Sequence, residues 1–424
     1  MKFFNTITLL LSALLLPFVA SATEHANIAT WVNQVVTQHP RLQAAIAATE
    51  VAKARARAAD QPLFNPEIEF EYESTDVDTK TAGISQTIDW GDKRSAQTRI
   101  ATFRWQHSIN DLQFQQQQLS AEVLLALARY QASVVGQQVA SKRMDSMATF
   151  ISIAKLRYGA GDLTEVDLSL AQLASSEANF QLADAQSELI ANKQALLVLI
   201  GNDVDSELTT LPLFENVPDR PKQPIRDIDT LLDSLPQMKL ARAQMDIARA
   251  EIKLRQREQR PNPTIGLKTG KEGNESLTNI TFSMPLFVRN NFSAEVDAAN
   301  SQLIQRQREA IDIRRLLAAK LETATQTLAI NRRAWSQWES VGSSSLLQQE
   351  SLLERLWRAG ELSTTDYLVQ LKQSLDTQAS AIEQKTQLWQ SWTQWLIASG
   401  EINQWLTNND NVTGNTATQS GNGE

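Results

Sequence analysis

The chain is one unit written twice, and that restricts its fold more than any other feature. Two halves of its 424 residues run in parallel at an offset of about 196 to 199 positions. His39-Pro40 opens an Ala-rich helical stretch closing at Asn65-Pro66, and Leu235-Pro236 opens another closing at Asn262-Pro263. Tyr158-Gly159-Ala160-Gly161-Asp162-Leu163 aligns with Trp357-Arg358-Ala359-Gly360-Glu361-Leu362, and Asp167 aligns with Asp366 beyond them. Both copies close on a glycine, Gly201 and Gly400. Such self-similarity marks a supersecondary unit that buries its apolar face against its neighbours. The repeats occupy residues 23–201, with strands in 65–90 and a helical hairpin in 93–200, and residues 227–405, with strands in 263–288 and a hairpin in 292–405. Between them, residues 202–226 carry Pro212, Pro218, Pro221 and Pro224 and no helical period, which predicts an extended strap. Residues 406–424, rich in Asn, Thr and Gly, predict a disordered tail.

Each half reads as helix, two strands, a very long helix, a tight turn and a medium helix. The long helices run from about Lys93 to Tyr158 and from about Phe292 to Trp357, about 66 residues apiece without an internal proline. At about 1.5 Å per residue each would be about 100 Å long, deeper than a globular core. Their apolar residues keep a seven-residue frame. Ile109, Leu112, Leu119, Val123, Ala126, Tyr130, Ala140, Met144, Met147, Ile151 and Ala154 hold it in the first, and Leu303, Ala310, Leu317, Leu321, Ala324, Leu328, Trp335, Trp338, Leu352 and Leu356 in the second. A strict repeat of seven keeps one seam on a neighbour and implies left-handed supercoiling. Gln116, Ser133, Gln137, Arg314 and Asn331 interrupt the frames. A ring of helices with water on one side tolerates such interruptions; an isolated two-stranded coil does not.

Composition then removes function classes. With no cysteine there is no disulfide framework, thiolate metal site, cysteine nucleophile or lipid-modified N-terminal cysteine. A net charge of -8 argues against nucleic acid as a partner, because binding phosphate backbones needs clustered Lys and Arg. Lys2, an apolar run from Phe3 to Val19 and the small residues Ala20-Ser21-Ala22 read as a secretory signal peptide over residues 1–22. No later stretch approaches the roughly 18 apolar residues of a spanning helix. A later membrane span must then be a β-barrel. No nucleophile elbow, phosphate loop, paired catalytic carboxylate or metal-ligand spacing is present, so the reading is of a protein that is not an enzyme and holds no cofactor or resident metal.

The strand segments fit a barrel. From Asn65 to Ser74, Ile68, Phe70 and Tyr72 point one way, and Glu67, Glu69, Glu71 and Glu73 the other. From Thr81 to Trp90, Ile84, Ile88 and Trp90 oppose Ser85 and Asp89. In the second half Ile265 and Leu267 precede a loop at Gly270 to Asn274, and Ile280, Phe282, Met284 and Leu286 alternate with Asn279, Thr281 and Ser283. A soluble sheet on a helix face would alternate in the same way. The export signal and the lack of another anchor favour the membrane. Four strands cannot close alone, and eight leave an interior filled by side chains. Twelve strands from three chains are the smallest conduit available to this sequence.

These residues resemble the TolC family of outer-membrane efflux channels, and within it the CzcC-like heavy-metal branch. The resemblance spans most of the chain before the tail. It rests on the duplication, on Asn65-Pro66-Glu67 and Asn262-Pro263-Thr264 opening the strand pairs, and on Trp90-Gly91-Asp92-Lys93-Arg94. Met284-Pro285-Leu286-Phe287-Val288-Arg289-Asn290-Asn291 and the Gly161 and Gly360 turns complete it. It implies a homotrimer in outer-membrane lipid: a 12-stranded β-barrel continued by a 12-helix α-barrel across the periplasm. It also implies a periplasmic adaptor, or membrane fusion protein, and an inner-membrane pump of the resistance-nodulation-division type. The substrate implied is heavy-metal cations, with drug efflux or type I secretion as alternatives and a soluble periplasmic scaffold as the competing class. Tyr158, Gly159, Gly161, Trp357 and Gly360 would form the periplasmic tip that docks the adaptor. Two positions depart from the pattern. The branch commonly has Gly-Gly where this chain has Gly91-Asp92, and Trp357 stands where a Tyr with its hydroxyl is common.

Asp167 and Asp366, one to two turns beyond the tip glycines, fit either a cation-attracting aperture or helix N-terminal charge. Asp162 and Glu361 fit the second description better. Glu67, Glu69, Glu71 and Glu73 would line a barrel lumen, and equally would suit a solvated surface. Met144 and Met147 could be soft metal ligands, but they fall on the heptad seam, which reads as core packing. Trp389, Trp392 and Trp395, with Trp405 beyond, predict a packed face near the strap, and Trp90 an interfacial aromatic.

Overall fold

The computed structural model describes residues 28–201, 211–213, 217 and 227–408; the leader, most of the strap and the tail beyond Asn408 lie outside the described residues, whereas residues 406–408, expected in a disordered tail, close the last helix, where Leu406 is buried. The first repeat comprises α1 (Ile28–Gln38), α2 (Pro40–Ala59), β1 (Glu67–Glu73), β2 (Thr79–Thr87), α3 (Lys93–Ala160) and α4 (Glu165–Ile200). The second comprises α5 (Ile228–Ser234), α6 (Pro236–Glu258), β3 (Thr264–Glu272), β4 (Glu275–Ser283), α7 (Ser293–Gln337), a π-helical turn (Trp338–Gly342), α8 (Ser343–Arg358), α9 (Thr364–Ala398) and α10 (Ile402–Asn408). Proline at the first helical position sets φ at no hydrogen-bonding cost, and both α2 and α6 begin that way.

The four strands form one antiparallel sheet in the order β1-β2-β3-β4. The repeats therefore meet at the β2–β3 pair, where Ile84 faces Leu267. The strands have seven to nine residues rather than about ten. β2 stops at Thr87, short of Trp90, because the Asp89 carboxylate turns to cap the next helix, accepting from Lys93 N at 2.9 Å and Arg94 N at 2.8 Å. β3 runs on to Glu272, so the predicted loop shrinks to Gly273-Asn274, with Gly273 at φ 56°.

α3 is unbroken for 68 residues, as its lack of proline predicts. Its counterpart is not. The second long helix contains the π turn, whose closing Gly342 lies against the Trp338 ring in space that a Cβ would fill. A π turn inserts one extra residue, and the seam shifts by one: Leu346, Leu353 and Trp357 are buried, whereas Leu352 is 47% exposed.

Three clusters hold the elements together. The largest surrounds mid-α3 and joins Leu119, Val123 and Leu127 to Val32, Val36, Leu328, Trp389, Trp392, Trp395 and Ile402, with Leu211 and Val217 of the strap against it. Trp392 stacks edge-on with Trp389 and Trp405 at 5.4 and 4.9 Å. A second joins Leu235, Met238, Ala310 and Leu317. The third lies near the tip.

Candidate functional site at the two ends of the molecule

At the tip, two closely similar devices reverse the chain. Gly161 at φ 83° and Gly360 at φ 79° adopt the left-handed conformation that glycine accepts without strain. Each closes a six-to-one Schellman bond: Asp162 N donates to Arg157 O at 2.9 Å, and Glu361 N to Leu356 O at 2.9 Å. Thr164 and Ser363 then cap the return helices, accepting from Asp167 N at 3.2 Å and Asp366 N at 3.1 Å. In return their hydroxyls donate to the carboxylates, Thr164 to Asp167 at 2.7 Å and Ser363 to Asp366 at 2.6 Å. Asp167 and Asp366, rather than Asp162 and Glu361, are thus the helix-terminal carboxylates. The Thr164 hydroxyl, followed by its backbone N–H and Thr365, holds the Asp167 carboxyl below its ordinary range.

The aromatic pair at the tip divides. Tyr158 is 43% exposed, on a surface a partner can reach. Trp357, expected on that surface, is 2% exposed and stacks on Tyr367 at 4.7 Å and against Phe150 at 5.0 Å. The one-residue shift of the seam at the π turn places it there. Met147, Ala154, Ala171, Leu353 and Leu371 complete this cluster, with Met144 packed against it, so both methionines sit in packing. Trp357 thereby ties the two hairpins together. Arg157 adds to the tie, its guanidinium 5.1 Å from the Trp357 ring. Lys372 reaches Glu177 at 2.7 Å, and the buried Arg143 reaches Asp376 at 3.0 Å.

At the other end, each long helix starts from a residue in left-handed conformation, Asp92 at φ 55° and Phe292 at φ 58°, the two described non-glycine residues with positive φ. The Gly-Gly pattern of the resembled branch would fit this corner without strain. Asp92 occupies it with its carboxylate on Ser95 Oγ at 2.5 Å and Arg257 Nη1 at 2.8 Å. Aspartate tolerates that region through such local bonds.

The sheet separates chemistry by face. Ile68, Ile84, Leu267 and Ile280 lie in register across all four strands on one face, each at least 49% exposed. Trp90, beyond β2, is 68% exposed. Glu67, Glu69, Glu71 and Glu73 stand on the other face with Glu272 and Glu275. Sequence reasoning missed Lys268 on β3, which meets Glu69 at 2.8 Å and Glu71 at 3.4 Å. The alternation Gly266-x-Lys268-x-Gly270 was the available signal. Among the described residues, no three His, Asp or Glu side chains gather to hold a metal ion.

The arrangement of one small antiparallel sheet on very long helices recurs in solved structures. The chain superposes on CusC, a protein forming a transmembrane channel, with a TM-score of 0.73 over 88% of this chain and 91% of that one at 14% identity. It superposes on the CmeC outer membrane channel of Campylobacter jejuni with a TM-score of 0.74 over 87% and 85% at 15% identity. Residues 31–202 match the model of the outer membrane efflux protein family. The chain is 25% identical over 272 residues to the cobalt-zinc-cadmium resistance protein CzcC of Cupriavidus metallidurans, matching 63% of this chain and 65% of that protein's length.

Proposed function

We propose that three copies close into one duct that carries heavy-metal cations from a periplasmic adaptor and a resistance-nodulation-division pump to the exterior. The observation that carries the reading is the two-faced sheet: apolar residues for lipid, and carboxylates for a cation-attracting lumen. Four strands per chain make twelve in a trimer, wide enough for a water-filled pore. Along the helices, α4 packs on α3, α3 on α9 and α9 on α7, which leaves α4 and the α7–α8 side as unlike free edges. Both edges are apolar: Val166, Leu173 and Phe180 are 64 to 69% exposed on one, and Ile330 and Val341 are 65 and 61% exposed on the other. Unlike edges meeting head to tail generate a ring when the rotation closes.

In this reading the adaptor grips the tip around Tyr158, Gly159, Gly161 and Gly360, with Trp357 holding the hairpins from within. Asp167 and Asp366 contribute six carboxylates around the aperture of a trimer. Similarity to CzcC supports metal cations over drugs. Deleting the gene and scoring tolerance to cobalt, zinc, cadmium, copper and silver against a dye and a detergent tests this. Loss of metal tolerance is the expected result; unchanged metal tolerance with increased dye sensitivity assigns the duct to drugs.

A further inference from the structure

We propose that Lys268 is a specificity-determining residue of the lumen, a tethered cation that keeps the acidic wall from holding its cargo too tightly. This inference rests on the barrel reading above. Among the strand residues on the acidic face, Lys268 is the one cation facing six carboxylates: Glu67, Glu69, Glu71, Glu73, Glu272 and Glu275. The other strand lysines, Lys80 and Lys271, stand on the opposite face.

Its position is built by small neighbours. Lys268 projects from β3, and its carboxylate partners stand on β1, two strands away, about 10 Å across the sheet. The β2 residue in register between them is Gly83, and a Cβ there would lie 2.6 Å from Lys268 Cγ. The aliphatic stem therefore crosses β2 where no side chain stands. Gly266 and Gly270 flank Lys268 on the same face of its own strand, so nothing beside it competes for the space. The ammonium reaches both Glu69 and Glu71, and its side chain is only 27% exposed.

The physical effect follows from charge. At the Glu69–Glu71 level the wall's net charge is halved, while Glu67 at one end and Glu73, Glu272 and Glu275 at the other have no ion-pair partner among the described residues. Conduction needs binding favourable enough for entry and weak enough for exit. Three such ammoniums midway along the lumen reduce the well that a passing cation would otherwise fall into.

The chain has no cysteine, so Lys268→Cys gives one reactive site per protomer, three equivalent ones in the intact trimer. In planar bilayers under a KCl gradient, the substitution should raise the cation-to-anion permeability ratio about twofold or more. An aminoethyl methanethiosulfonate, which restores an ammonium, should return the ratio toward the unsubstituted value; a methyl reagent should not. A Lys268→Gln channel, which adds no thiolate ligand, should also be blocked by zinc at concentrations that leave the original current unaffected. If Lys268→Cys fails to assemble, Glu69→Gln with Glu71→Gln, which leaves the ammonium uncompensated, should lower the ratio. An unmoved ratio in the assembled variants, or equal effects of the two reagents, overturns the role of Lys268. If the unsubstituted chain inserts and does not conduct, the duct reading itself fails instead.

Discussion

The two hairpins share their turn chemistry and differ in their shafts. Both end on a left-handed glycine and a capping hydroxyl paired with an aspartate. The first shaft keeps one seven-residue frame from Leu119 through Met147 to Ala154. The second changes frame at Trp338–Gly342 and delivers Trp357, rather than its neighbour, into the core. A turn is specified by a few local residues, so duplication preserves it readily. What a helix buries far along its length depends on every residue counted before it, so a single insertion re-aims everything downstream.

Deletions break this comparison most severely. Removing Gly136 from α3 should turn Met147, Phe150 and Ala154 by about 100° away from their partners, and no trimer should be recovered from the outer membrane. Removing Gly342 should instead convert the π turn to regular α-helix with the downstream frame kept, and trimer yield should stay near normal. Equal loss in both deletions would refute the frame shift.

Side chains at the equivalent positions Tyr158 and Trp357 come next. Trp357→Ala empties the space between Phe150 and Tyr367 and should cost about 3 to 5 kcal/mol. Tyr158→Ala, at a half-exposed site, should stay within about 0.5 kcal/mol. Thermal dissociation of the trimer ranks the two. The glycines should behave alike: Gly161→Ala and Gly360→Ala each impose about 1 to 2 kcal/mol of left-handed strain. Unequal losses would mean that the turns differ in assembly.

The caps should matter less than Trp357 or the turn glycines. Thr164→Ala and Ser363→Ala should each cost about 1 kcal/mol. Because the folded state holds the Asp167 carboxyl below its unfolded range, its stabilising contribution is complete above the unfolded value and is lost as pH falls through the folded one. Carboxyl carbon titration by NMR should show Asp167 ionised at a pH where ordinary aspartates are protonated, and Thr164→Ala should raise its midpoint.

Much of this was legible in sequence because periodicity carries it. The duplicated order of elements, the unbroken first long helix, the strand alternation and the tryptophan face around Trp392 all follow the periodicity. Three features were not legible. The π turn leaves the apolar frame apparently unbroken through Trp338 to Leu352, since Leu352 and Leu353 both supply an apolar residue whichever is buried. Trp357 aligns with an exposed tyrosine, and alignment is silent about burial. Lys268 gains its meaning from residues on β1 and β2 that are distant in sequence, and only strand register brings them together.

The account stands on three chains closing one duct. Native mass spectrometry of the mature chain, extracted from the outer membrane in mild detergent, measures that directly. A complex of three copies is the result this account requires. A monomer or a dimer, offering four or eight strands, would contradict it, because neither can enclose a water-filled lumen.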